Sequence, residues 1–319
     1  MTSAAFLCTS RRTVGFQQLS CALLMSLALN TQFVLAQPFR MRAAPPSVPS
    51  LDFRRAFESR IDEQASFLAS DRRLRHLSQR ARRDAVEFMV GNVLIGALHQ
   101  LGLALVSEFR LPALGGSDQA ADDFAILTAL ELGKTHFSDR ILMEAAKSSL
   151  TGKRRKKTAI DTLRSLDETG LNQRRANRMV CLTAGSDAVR FKALIEDTAL
   201  PRNLGRNCGW DYDNALRSWE IVLRPYRPRA DQPKTEVDVS YGAADGNLRV
   251  YEQVFRNLGF LETLAEVTAS QITWRAPLRL EMRSCGVAAA TWSAATRTLS
   301  VCYEMAGSLA ERYLERKRR

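Results

Sequence analysis

The sequence predicts an α+β protein, mostly α, with a buried helix pair, a small strand element near the C-terminus and disulfide staples. Apolar residues recur at helical spacing through most of 51–273. Two short runs, 278–282 and 298–302, alternate like strands instead. Four cysteines, Cys181, Cys208, Cys285 and Cys302, lie in the second half of the chain and form an even set for cross-linking.

Residues 1–36 carry Arg11 and Arg12, then an apolar stretch over 19–29, then Val34-Leu35-Ala36 with small side chains where signal peptidase needs them. This predicts a signal peptide and a periplasmic or secreted protein. Asn30, Thr31 and Gln32 interrupt the apolar run before it reaches bilayer length, which disfavours an uncleaved anchor. Cys8 and Cys21 leave with the signal. Pro38, Pro45, Pro46 and Pro49 make 37–50 a flexible leader. The formal charge of +12 predicts weak attraction to anionic surfaces and names no ligand.

From 51 to 83 a charge-rich pattern with Phe53, Phe57, Ile61, Phe67, Leu68, Leu74 and Leu77 reads as one or two amphipathic helices. A long apolar helix follows over 84–108, closed by Pro112. Its central run, 88–106, approaches spanning length, but Asn92, His99 and Gln100 interrupt it, so it reads as a core helix and the mature chain has no membrane span. A second helix is expected over 117–132, with Ser117 as N-cap and Gly133 as its stop. Gly152-Lys153-Arg154-Arg155-Lys156-Lys157 is a solvated basic turn; without interleaved aromatics it does not predict nucleic-acid binding.

Helices resume over 161–182 and 212–223. Pro225, Pro228 and Pro233 then mark a linker at 228–236 between a helical region, 51–227, and an α+β region, 237–319, packed on it as one unit. Within the latter, 237–241 alternates like a strand, 248–273 reads as one helix, the two strand runs follow, and a helix closes the chain at Arg316-Lys317-Arg318-Arg319. In an oxidising compartment the four cysteines permit three pairings. The sequential one, Cys181 with Cys208 and Cys285 with Cys302, closes two short loops and is the expectation.

The most informative segment is Leu98-His99-Gln100-Leu101-Gly102-Leu103-Ala104-Leu105. A zinc-peptidase helix presents His at i and i+4 to the metal and Glu at i+1 to the metal-bound water. His99 fits the first place. Gln100 has the shape of Glu without its titratable carboxylate, and Leu103 offers no donor. The bland alternative for His99 is a core histidine satisfied by one hydrogen bond.

With the downstream run Leu111-Pro112-Ala113-Leu114-Gly115-Gly116-Ser117-Asp118-Gln119-Ala120-Ala121-Asp122, this segment resembles the bacterial putative metallopeptidases of unknown substrate, whose zincin-like core helix reads His-Glu-Leu-Gly-His-Ala-Leu in active form. Further echoes are Asn172-Gln173-Arg174-Arg175-Ala176-Asn177, Val180-Cys181-Leu182, Asn207-Cys208, Cys285-Gly286 and Cys302-Tyr303-Glu304-Met305. The resemblance implies that His99 stands at the first zinc ligand, Leu103 at the second and Gln100 at the general base. Asp118 stands at the downstream carboxylate ligand, and Asp122 at the aspartate that holds the histidine from behind. In the family the paired strands precede the zinc helix, whereas here they follow it, which implies a circularly permuted arrangement.

These departures point to a degenerate member: exported, catalytically inactive, without a cofactor, and acting by binding a peptide or protein. Two alternatives remain. One is an active zinc hydrolase with a non-standard ligand set, for which His136 is a distant candidate. The other is a structural exported domain.

Overall fold

The computed structural model describes residues 50–112, 116–135, 139–151, 176–198 and 207–318. The expected signal and basic turn lie outside these residues, as do His136 and the expected leader up to residue 49; Ser50, its last residue, begins a helix instead.

Helix α1 (Ser50–Phe67) and a short 3-10 turn over Leu68–Ser70 supply the first amphipathic layer. The long helix α2 runs Gln79–Phe109, not 84–108. Its true start is set by Ser78, whose hydroxyl accepts from Ala81 N at 3.3 Å. Charged residues fill that first turn, so hydrophobic periodicity begins a turn later than the helix does. Arg82 uses the charge structurally: its guanidinium donates to Ala65 O at 2.9 Å and Leu77 O at 2.5 Å. At the other end Arg110 turns left-handed (φ 51°), and Pro112 bars continuation.

Helix α3 is Ser117–Thr135. Ser117 is its first residue and not its cap, because Gly116 makes the turn into it at φ 99°. Nor does Gly133 end the helix, since one glycine costs only about 1 kcal/mol against alanine and buried Leu130 and Leu132 hold the turn in place. Then come α4 (Asp139–Thr151), α5 (176–186), α6 (Lys192–Thr198) and α7 (Cys208–Leu223). The described helix at 176–186 runs four residues past the expected end, and α7 starts four residues before Tyr212.

The sheet has strand order β1-β2-β4-β3, with β1 (Val237–Tyr241), β2 (Leu278–Arg283) and β4 (Thr298–Cys302) parallel and β3 (Ala290–Ser293) antiparallel at the edge. The parallel step from β1 to β2 needs a long crossover. It is made by α8 (Arg249–Leu258) and α9 (Phe260–Gln271), two helices where one was expected. Gly259 at φ 65° separates them, a left-handed break that glycine takes at low cost. β4 is buried throughout, unlike the alternating β2. Helix α10 (Tyr303–Lys317) closes the chain.

The fold is thus α+β and mostly helical, with α2 at its centre. Helix α2 packs against α1, α3, α4, α10 and strand β3. By length and composition it could cross a membrane, but most of its apolar residues from Ala85 and Val86 to Leu105 are buried by these neighbours, Ile95 and Leu103 only partly.

A polar staple ties the turn before α2 to the crossover. Buried Tyr251 donates to Asp71 Oδ2 at 2.7 Å, and Arg73 donates to Asp71 Oδ1 through its backbone N–H at 2.7 Å. Burial pushes the Asp71 carboxyl up, but hydrogen bonds from Arg73 and Tyr251 outweigh this and hold it below its ordinary value. A depressed folded pKa contributes stability that is present above the unfolded pKa and lost as pH falls through the folded one. We expect the protein to lose stability below about pH 4, and Asp71→Asn to be less stable at pH 7 but flatter in acid. Urea midpoints across that range check this; parallel pH profiles for the two proteins would refute it.

Candidate functional site

Helices α2 and α3 approach closely at Gly102. An added Cβ there would lie 2.8 Å from Ala121 Cα and 3.1 Å from Ala121 Cβ, so no side chain fits. His99 lies one turn before Gly102, and Asp118 and Asp122 flank Ala121, so this approach sets the imidazole over one face of α3. His99 Nδ1 is 2.8 Å from Asp122 Oδ1, and His99 Nε2 is 3.7 Å from Asp118 Oδ1. The Nδ1 contact is short but is not a directed hydrogen bond. His99 and Asp122 are largely covered, whereas the Asp118 side chain is 71% exposed. The expected pairing of His99 with Asp122 is therefore present, and Asp118 stands on the imidazole's other side.

Asp123, next along α3, faces inward and meets Arg178 of α5. The guanidinium donates to its two carboxylate oxygens at 2.5 and 2.6 Å. Burial pushes the Asp123 carboxyl up, while the hydrogen bonds and charge of Arg178 pull against it. The hydrogen bond to Asp123, with charge from Asp211 and Asp122, raises the Arg178 pKa. Arg178 thus anchors the acidic face from behind, a role not foreseen from the sequence. Its only signal was an acid, Asp123, placed on an apolar helix face where burial demands a cation.

Gln100 points elsewhere. Its Oε1 accepts from Trp292 N of β3 at 3.2 Å, so the side chain at the general-base position holds the edge of the sheet. Leu103, one turn beyond His99, brings only hydrocarbon.

Could these residues hold zinc? Two ligands of one tetrahedral zinc, each about 2.0–2.1 Å from the ion, lie roughly 3.3 Å apart, close to the 3.7 Å between His99 Nε2 and Asp118 Oδ1. Leu103 supplies no third donor and the Gln100 oxygen is engaged. Among the described residues no further His, Cys, Asp or Glu completes a three-donor group with His99 and Asp118. The set does not fit a three-ligand zinc centre. A groove of about 440 Å³ lies instead by the sheet, lined by residues such as Lys234, Glu236 and Trp274 and by none of the site residues.

The family model described as "Putative metallopeptidase" matches residues 63–223, just over half of the chain. The chain belongs to this family. Curated proteins and solved structures give no match. The matched segment of this putative metallopeptidase family member contains His99, Gln100, Leu103, Asp118 and Asp122, and the first cysteine pair. It ends before the sheet. Both expected disulfides are formed, Cys181 to Cys208 with Cα atoms 4.8 Å apart and Cys285 to Cys302 at 5.5 Å.

Proposed function

We propose that this family member is an exported protein without peptidase turnover that acts by binding a peptide or protein partner, and that His99, Gln100, Leu103, Asp118 and Asp122 are the vestige of a metal site. The observation that carries this reading is the side chain at position 100. An amide cannot take a proton from water, and this one is committed to the Trp292 N–H. The absence of a donor at Leu103 acts in the same direction, since His99 and Asp118 alone make a two-ligand set far weaker than a three-ligand one. The His99–Asp122 contact then serves to hold the α2–α3 face in place.

A second reading, an active zinc hydrolase with a non-standard ligand, is favoured by one observation: the His99 to Asp118 spacing is close to that of two ligands on one ion. Metal analysis of protein never exposed to chelator, paired with digestion of a peptide library, separates the two. We expect no stoichiometric zinc and no cleavage. One tightly held zinc, with turnover abolished by His99→Ala, would establish the hydrolase instead. The pair Gln100→Glu and Leu103→His is expected to restore zinc affinity, because it supplies the missing donor beside His99 and Asp118; unchanged affinity would mean that Asp118 does not reach the ion.

A further inference from the structure

The two disulfides differ in their surroundings. Cys181 and Cys208 are both buried. Cys302 is buried at the end of β4, where it is also the N-cap residue of the 15-residue helix α10, while its partner Cys285 is partly exposed in the loop after β2. Glu304, in the first turn of α10, folds back over that loop. Its Oε1 accepts from Cys285 N at 2.9 Å and from Gly286 N at 2.6 Å. A carboxylate oxygen of Glu304 and the two sulfurs lie within 4.8 Å of one another, the one such three-donor group among the described residues.

We propose that Cys285, Cys302 and Glu304 form a binding site for a thiophilic divalent cation such as Zn²⁺, a site that exists only when the disulfide is reduced. The reductant is a dithiol. One of its thiolates attacks the accessible Cys285 sulfur, forming a mixed disulfide and expelling Cys302 as thiolate. The reductant's second thiol then attacks its own sulfur in the mixed bond, freeing Cys285 and leaving as a cyclic disulfide. Two electrons pass from the dithiol to the bridge, and its two protons pass to the cysteines or to solvent. Cation binding then releases the protons that the two thiols carry.

Direction and chemistry agree in this sequence. The N-terminus of α10 favours a thiolate on Cys302, which makes Cys302 the better leaving group. Glu304 opposes that negative charge, and a bound cation turns the opposition into ligation. Two thiolates and one carboxylate are a three-ligand set whose fourth position takes water. In the ligated state the sulfurs must part to about 3.8 Å, the edge of a tetrahedron around zinc. Loop 284–289 can take up that change: Gly286 sits at φ 75° with nothing packed beside it. Disulfide and cation therefore exclude one another. The site is separate from the His99 face and lies beyond residues 63–223, which the family model matches.

The test uses the full chain, titrated with a dithiol and mapped by alkylation, with Zn²⁺ binding and Co²⁺ absorbance measured on each species. We expect Cys285 and Cys302 to be labelled before Cys181 and Cys208. The reduced protein should bind one Zn²⁺ and give a thiolate-to-cobalt band. Glu304→Gln, which keeps the oxidised bridge, should weaken Zn²⁺ binding by about tenfold or more, and Cys285→Ser with Cys302→Ser should abolish it. Reduced protein that keeps its far-UV circular dichroism but binds no ion overturns the proposal. So does equal binding by Glu304→Gln or by the double serine variant, and so does loss of fold on reduction of this bridge alone.

Discussion

Replacing Arg178 by leucine is expected to destabilise the protein by roughly 2–4 kcal/mol at pH 7. Removing one partner of a buried ion pair costs about 3–5 kcal/mol because the other charge stays uncompensated, and the 29% exposure of Arg178 scales this down through solvent screening. Burial already pushes the Asp123 carboxyl up against the pull of Arg178. Without Arg178 it rises further. A carboxyl whose folded pKa lies above its unfolded one binds extra protons in the native state, so its destabilising effect grows as pH rises between the two values. The deficit should thus be smallest below about pH 4 and largest near neutrality. Asp123→Asn combined with Arg178→Leu should recover most of the loss, since no charge is then left buried. Urea midpoints at both pH values measure this; a wild-type midpoint for Arg178→Leu at pH 7 would sink the assignment of Arg178 as the anchor.

Gly185→Ala is the second large effect. A Cβ at this position would stand 2.0 Å from Cys208 O and 2.5 Å from Cys208 C, both backbone atoms at the start of α7. Neither can retreat easily, because the Cys181–Cys208 disulfide ties α5 to α7 one helical turn before Gly185. Overpacking of a rigid contact costs typically 1–3 kcal/mol and occasionally more, and we expect roughly 3 kcal/mol here. The loss should couple to the disulfide. Replacing both cysteines by alanine in the wild type should cost on the order of 3–4 kcal/mol in the chain-entropy view, but clearly less in the Gly185→Ala background, where the freed helices can separate. Additive losses in this double-mutant cycle would show that glycine and disulfide act independently.

What the sequence made legible was local. Gly102, His99, Asp118 and Asp122 lie on two helices with strong apolar periodicity, and i, i+4 spacing by itself puts the two acids on one face. Sequential cysteine pairing followed from short loops. What stayed hidden depends on partners distant in the chain. Strand β3 is four residues, Ala290-Thr291-Trp292-Ser293, too short to stand out although Thr291 and Trp292 favour strands. It becomes a strand because β4 pairs with it and Gln100, 192 residues away, accepts from its edge. Arg178 is one arginine among many in the chain, and no local rule selects it as the partner of Asp123. The break at Gly259 was written in the sequence, but an apolar pattern on both sides masked it.

The bond from Trp292 N–H to Gln100 has an evolutionary reading. A side chain at a position that the family resemblance gives to catalysis here secures the architecture: a glutamate could accept the same N–H, but while doing so its carboxylate would be committed to β3. Leu103→His alone would add a third donor beside His99 and Asp118 but would leave no base at position 100. Under the proposed reading, position 100 has passed from acting on water to holding a sheet edge, so peptidase chemistry at this place would require the side chain to leave the bond that now positions β3.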